Sequence, residues 1–250
     1  MSGRNFFLLT SLPAVGKLGD EPPLSPAAFL QHVQGAPKPR AEAEAVFLGD
    51  DLRQREAVLA GEIDEPSPAV LTTAQVRDEE PLPGFLGVRP GEEGAAGAAL
   101  AVDAVWGAYF RRLAEMGRRS AFLAAWVRHE VGLRNALAAA RAAALGLDAE
   151  RYLVEPDLAD TEADFAPVLA EWSAAATPLA GLRVLDAARW RWLAEHDAWF
   201  SFADAELAAY ATRLMLLHRW RAIAEAQRDA PAGPLASARQ VPAPESRGGA

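Results

Sequence analysis

The feature that most restricts the fold of this chain is a long helical pattern from residue 98 to residue 145. In its second part, apolar and aromatic side chains recur at alternating steps of four and three residues, which places them on one face of an α-helix. Gly117 is the expected break between two helices, and Gly146 is the expected end of the second. The residues on the predicted face are Phe122, Trp126, His129, Leu133, Leu137, Ala140 and Ala144.

The rest of the chain also favours helices. Alanine is abundant, and isoleucine occurs only at Ile63 and Ile223, so a large β-sheet is not expected. The apolar run Phe6–Leu12, which Pro13 stops, predicts a short extended segment. Ser25-Pro26 is a typical helix start. Further helices are predicted over residues 41–59, 69–77, 162–176, 179–196 and 205–228.

These elements divide the chain into four parts. Residues 1–64 form an N-terminal helical part, and residues 65–97 form a connection rich in Pro and Gly. Residues 98–229 form the main helical domain. Residues 230–250 contain almost no large apolar group and predict a disordered tail. The fold class that follows is a mainly α multi-helix bundle.

The composition excludes several classes of partner and of chemistry. The net charge of −9 argues against a general nucleic-acid binder, which needs clustered basic residues. The chain has no cysteine, which excludes disulfides, thiol catalysis and cysteine-ligated metal. No apolar run is long enough for a membrane span. We therefore expect a cytoplasmic protein with no direct membrane span and no nucleic-acid partner.

The motifs of common enzymes are missing. There is no Gly-rich loop ending in Lys-Ser or Lys-Thr, and there is no G-x-S-x-G nucleophile elbow. His129-Glu130 begins like a zinc-binding helix, but Leu133 occupies the position of the second histidine. No catalytic residue, cofactor or metal is predicted, so we expect a protein that is not an enzyme. The less favoured alternative is an enzyme whose site is assembled from His129, Glu130 and Arg141.

A polar set shares the long helix with the apolar face. It consists of Glu130, Arg134, Asn135 and Arg141. Glu130 and Arg134 are four residues apart, in the orientation that favours an ion pair within a helix. Two interpretations stay open: a solvated face whose ion pairs contribute little, or a polar seam that is buried between helices or held against a partner.

The chain also contains a weak internal echo. Leu52-Arg53-Gln54 resembles Leu133-Arg134-Asn135, and His218-Arg219-Trp220 lies at a comparable late position in the last helix. These segments are 81 and 85 residues apart. The spacing is consistent with an internal repeat of helical units.

Three segments together resemble a bacterial family known as domain of unknown function 2764. They are the run Phe6–Pro13 followed by Pro22-Pro23-Leu24-Ser25, the helix Trp126–Arg141, and the closing stretch from Phe200 through Tyr210 to Trp220. Members of that family are encoded among the subunits of bacterial V-type (A-type) ATPases. The polar helix is further similar to helices of the V-type ATPase C subunit, which is subunit d in eukaryotes. That subunit is an all-helical, threefold-repeated funnel that seats the central rotor stalk on the membrane ring.

The resemblance implies a function. It points to a non-catalytic subunit or accessory protein of a V/A-type ATPase that translocates protons or sodium ions. Its partners would be the central stalk and the membrane rotor ring, and it would be peripheral to the inner membrane through that complex. The alternative is a free-standing helical assembly factor or regulator of the complex. The candidate residues for interaction or for a structural polar seam are Glu130, Arg134, Asn135, Arg141, Tyr210 and Trp220.

Overall fold

The computed structural model describes residues 4–87, 98–198 and 200–229, and the regular elements among these residues are all helices, with no strand. The predicted mainly α fold is therefore confirmed. The helices are α1 (Arg4–Thr10), α2 (Pro26–His32), α3 (Pro37–Leu59), α4 (Thr73–Val76), α5 (Ala98–Gly117), α6 (Ala121–Leu145), α7 (Ala166–Ser173), α8 (Pro178–His196) and α9 (Asp204–Asp229). Short 3₁₀ turns occur at Gly84–Leu86, Ala149–Tyr152 and Pro156–Leu158.

The helix ends follow local chemistry. The Ser25 hydroxyl accepts a hydrogen bond from the Ala28 amide at 3.1 Å, as its predicted position before Pro26 requires. Gly146 ends α6 with a φ of 66°, the left-handed conformation that glycine adopts without a Cβ clash. The helix predicted over residues 162–176 is shorter, since α7 begins only at Ala166, whose amide is capped by the Asp164 carboxylate.

The apolar run near the N-terminus is a helix, α1, so the prediction of an extended segment is wrong. A helix turns Asn5, Leu8 and Leu9 toward the core at steps of three and four residues, and leaves Phe7 75% exposed. The buried Asn5 side-chain amide donates to Asp204 at the start of α9, at 2.8 Å. This tertiary contact outweighs the strand preference of an aromatic run, because so short a run carries no decisive periodicity.

The long helices surround one hydrophobic core. Helix α3 packs along α9, and α5 and α6 form an antiparallel hairpin. At the hairpin turn, a Cβ on Gly117 would lie 2.9 Å from Ala124 Cα, so only glycine allows the helices to come this close. The core contains Phe29 and Phe47 from the N-terminal part and Leu123 and Leu214 from the main helical domain.

The connection between these parts is partly built into the same structure. Leu71, Val76 and Leu86 are buried, and α4 and the turn Gly84–Leu86 pack on α3 and α5. Residues 88–97 of the connection and the predicted tail 230–250 lie outside the described residues. Among the helices that the structure describes, none combines the length and apolar character that crossing a membrane requires.

Candidate functional site

The centre of the bundle holds a group of charged side chains that we call the central charge network. Four helices contribute to it: α3, α6, α8 and α9. The network contains three carboxylates and three guanidinium groups, so its formal charges balance. Its members are Asp50, Arg53, Glu130, Asp186, Arg189 and Arg219.

Glu130 is one of its two hubs. This side chain is buried, and Arg189 holds it with two parallel hydrogen bonds, from Nε to Oε1 at 2.7 Å and from Nη2 to Oε2 at 3.1 Å. Arg53 on α3 also donates to Oε2, at 3.3 Å. Burial alone would raise the pKa of the Glu130 carboxyl, but the guanidinium groups of Arg189 and Arg53 outweigh it and hold that pKa at about 2. Glu130 is therefore an anion that joins α6 to α3 and α8.

Asp186 is the second hub, and its side chain is 0% exposed. It accepts hydrogen bonds from Arg189 at 3.0 Å, from Arg219 at 2.9 Å and from the Trp220 indole at 3.1 Å. Although burial raises the pKa of this carboxyl, Arg219 and Arg189 lower it below its ordinary value. Arg219 continues to Asp50 on α3 at 2.8 Å. The second hub thus fastens α8 and α9 to each other and to α3.

Arg134 does not pair with Glu130, so the predicted ion pair within the helix is wrong. Glu130 is held by Arg189 and Arg53, whereas Arg134 turns to Asp103 on α5 at 3.0 Å. The Arg134 guanidinium also lies over the Trp106 ring, 4.8 Å from the ring centroid. Arg189 and Arg53 reach Glu130 from other helices and bind it in a buried site. A charge-assisted hydrogen bond is stronger there than at an exposed position on the surface of one helix.

The three arginines of the internal echo are neighbours in space. Arg53 and Arg134 both contact the Trp106 ring, with guanidinium carbons 5.7 and 4.8 Å from its centroid. Arg53 and Arg219 both approach Asp50 Oδ1, at 3.9 and 2.8 Å. Residues far apart in the chain therefore form one continuous polar seam. The internal repeat itself stays a prediction.

Asn135 and Tyr210 have structural contacts beside the network. The Asn135 side-chain amide bonds both to the Val154 carbonyl oxygen at 3.0 Å and to its amide nitrogen at 2.9 Å, which fixes the segment after α6 against that helix. The Tyr210 hydroxyl donates to the Pro13 carbonyl at 2.9 Å, and its ring stacks on Phe29. Burial raises the pKa of Tyr210 to about 12.

Arg141 is separate from the other predicted residues. It lies eleven residues after Glu130, which is about 16 Å along the axis of an α-helix. Its guanidinium lies over Trp172 of α7, 5.3 Å from the ring centroid, beside an open apolar groove. The predicted polar set therefore splits, with Glu130, Arg134 and Asn135 around the buried seam and Arg141 at the surface.

The structure does not bring together the three residues of the enzyme alternative. His129 is buried against Trp192 and Phe165, with ring centroids 5.1 and 5.5 Å away. Burial lowers the pKa of this imidazole to about 4, so it is neutral at pH 7. Glu130 is saturated by arginines, and Arg141 is more than three helical turns further on. The groove beside Arg141 is not lined by His129 or Glu130.

Of the six network members, only Glu130 was among the candidate residues. Arg53 and Arg219 appeared only in the internal echo, and Asp50, Asp186 and Arg189 were missed. A usable signal exists in the sequence, because Asp50–Arg53 and Asp186–Arg189 repeat an acid-x-x-Arg spacing within helices that also contain buried leucines. The spacing alone is also typical of exposed helical ion pairs. Only the packing of α3 against α9, and of α8 against α9, shows that these pairs face inward.

No group of three or more His, Asp or Glu side chains within residues 4–87, 98–198 and 200–229 is arranged to hold a metal ion. In comparisons with known proteins, no family model matches the chain, and no curated protein or solved structure is significantly similar to it. The resemblance to the family of domain of unknown function 2764 and to the ATPase C subunit therefore stays a prediction.

Proposed function

We propose that this chain is a non-catalytic, C-subunit-like adaptor of a bacterial V/A-type ion-translocating ATPase, placed between the central stalk and the membrane rotor ring. The observation that best supports the proposal is the central charge network. Its charges face one another inside the bundle, so they serve to join helices instead of meeting a substrate. The helix that carries Glu130 is also one of the three segments that carry the family resemblance.

The network suits a part that transmits force. A torque-bearing adaptor needs helices that do not slide past one another when load is applied at its two ends. Apolar packing is non-directional and tolerates small shifts, whereas paired buried charges hold one register, because a shift would leave a charge without its partner. Glu130 and Asp186 connect α3, α6, α8 and α9 in this way.

Co-purification tests the proposal directly. The tagged full-length chain, expressed at its natural level, should purify with stalk and ring subunits in a fixed ratio. Its consistent absence from the intact ATPase overturns the proposal. A substoichiometric or transient association supports the alternative, an assembly factor or regulator that leaves the mature complex.

A second test addresses the mechanical role. The variant Glu130→Gln removes a hub, and the control Glu44→Gln alters only the exposed pair with Arg40. At a temperature at which both variants are folded, both should still assemble. Only Glu130→Gln should lower the number of ions pumped per ATP hydrolysed. Equal coupling in the two variants contradicts the role proposed for the network.

A further inference from the structure

An open apolar groove lies between the end of α6 and α7, away from the central charge network. Its volume is about 550 Å³, and it is open to solvent on one side. The groove is formed mainly by short or apolar side chains, together with one arginine. The lining residues are Ala140, Arg141, Ala144, Leu145, Leu169, Ala170, Trp172 and Ser173.

The apolar surface continues beyond the groove. Helix α6 is buried at Leu133, which is 1% exposed, but its last turns extend past the core, and Leu145 is 72% exposed. Leu147, two residues further on, is 47% exposed. Ala140 and Ala144 have short side chains, so the axis of another helix could approach α6 closely. Leu145 lines the cleft and Leu147 does not, so Leu147 extends the exposed apolar surface past the cleft at this end. A helix lying along the groove could cover both.

The charge at the groove indicates which chemistry fits it. Arg141 is the only charged residue in the lining. Its guanidinium is held against Trp172, and no carboxylate of the described residues forms an ion pair with it. A guanidinium that is already positioned loses little freedom on binding and can donate two parallel hydrogen bonds to a carboxylate. An occupant that places an acidic group beside apolar side chains would complement both features.

We propose that this groove binds an amphipathic helix of a partner protein, whose apolar side chains fill the cleft and whose Asp or Glu pairs with Arg141. A small apolar acid would occupy the cleft but would leave Leu147, which lies outside the lining, uncovered. This favours the longer ligand. The groove and its charge do not depend on the ATPase assignment, so the proposal stands or falls separately from it.

Selection from a library of displayed helical peptides tests the proposal with the full chain as bait. Peptides of about 16 residues span about 24 Å, which exceeds the length of α7. Counter-selection against the variant Ala144→Arg, which places a long cation in the groove, removes peptides that bind elsewhere. The enriched peptides should share leucine-like residues at helical spacing, with an acidic residue at one fixed position among them.

Affinities of one selected peptide then test the contact with Arg141. Arg141→Gln should weaken its binding about tenfold, because a hydrogen bond to a charged group is lost. Replacing the acidic residue of the peptide by its amide should weaken binding to the natural chain about as much, but should have little further effect on Arg141→Gln. The control Ala222→Arg changes an exposed alanine of α9 outside the groove and should leave the affinity unchanged.

Several results would overturn the proposal. They are a failure to enrich any peptide over the Ala144→Arg bait, enrichment of peptides with no acidic residue at a fixed position, and independent effects of the two charge changes. A dimer in sedimentation that Ala144→Arg dissociates would assign the groove to a second copy. A fatty acid seen in native mass spectrometry and lost in Ala144→Arg would assign it to a lipid.

Discussion

Replacing Glu130 by glutamine changes the charge of the central charge network while nearly preserving the shape of the side chain. Three hydrogen bonds from Arg189 and Arg53 end on the two Glu130 oxygens. Glutamine offers one acceptor oxygen and places an NH₂ group where the second oxygen was. The variant therefore leaves one uncompensated positive charge in a buried site. It also places the glutamine NH₂ group against a guanidinium N–H, so that two hydrogen-bond donors face each other.

The expected cost is large. Breaking a buried ion pair by removing one partner typically costs about 3–5 kcal/mol, because the remaining charge is left without compensation. For a chain of this size, about 1 kcal/mol corresponds to roughly 2–4 °C in the midpoint of thermal unfolding, so a decrease of roughly 10 °C is expected. The same substitution at Glu44 changes an exposed pair with Arg40 and should cost less than about 1 kcal/mol.

Urea unfolding followed by circular dichroism measures these differences in the free energy of unfolding. The double variant Glu130→Gln with Arg189→Met restores the charge balance and should be more stable than Glu130→Gln alone, which gives a coupling energy in a double-mutant cycle. If Glu130→Gln loses no more stability than Glu44→Gln, Glu130 is not the hub of a stabilising buried network.

Acid should weaken the same contact. The pKa of Glu130 is about 2 in the folded protein, below its ordinary value. When the pKa of a carboxyl is lower in the folded than in the unfolded state, the ionised carboxyl contributes to the free energy of unfolding. The full contribution is present above the unfolded-state pKa, and it is lost as the pH falls to the folded-state pKa. The stability difference between the natural chain and Glu130→Gln should therefore be constant above about pH 5 and shrink between about pH 4.5 and 2. A difference that does not change over that range contradicts the assigned ionisation.

Three further substitutions probe residues around the seam. Arg134→Gln should lower the free energy of unfolding in urea by only about 1 kcal/mol, since the pair with Asp103 is partly exposed and the contact with Trp106 is modest. A decrease as large as that of Glu130→Gln would show that Arg134 belongs to the buried network. Asn135→Ala should lower the free energy of unfolding by about 1–3 kcal/mol and speed hydrogen exchange at residue 154, whose amide loses its acceptor. Unchanged exchange at residue 154 contradicts the role of this hydrogen bond. The Asp51 carboxylate on α3 accepts hydrogen bonds from the three consecutive amides of residues 69–71 and so holds that segment against the helix. Asp51→Ala should therefore speed hydrogen exchange at residues 69–71. Protection equal to that of the natural chain would show that Asp51 does not hold this segment.

Much of the fold could be predicted from local sequence. Ser25 and Gly146 mark helix ends because capping depends on a few neighbouring atoms. The periodic face of α6 is buried at Phe122, Trp126 and Leu133, as predicted. Its last predicted member, Ala144, is exposed, because α6 extends beyond the helices that cover its first part. Periodicity identifies a face, but it does not show how far the neighbouring helices reach.

The candidate site shows the same division between local and tertiary information. The sequence selected Glu130, Arg134 and Asn135 on one helix, and the structure places them around a single polar seam. The sequence could not identify Asp186 and Arg189 as members of the network, because an acid-x-x-Arg pair has the same sequence whether it faces water or the core.

What the sequence determined by itself is the helical character of the chain, the position of most helices and the absence of cysteine chemistry. These properties depend on intrinsic propensity, capping and composition, which act over a few residues. The tertiary structure decided that α1 is a helix and that Glu130 pairs with Arg189 instead of Arg134. It also decided that Arg141 lies over Trp172 beside an open groove, apart from the network. Each of these features depends on which distant helix packs alongside. The energy of a charged side chain depends on how far that helix buries it, and on the partners it brings, more than on the neighbouring residues in the chain.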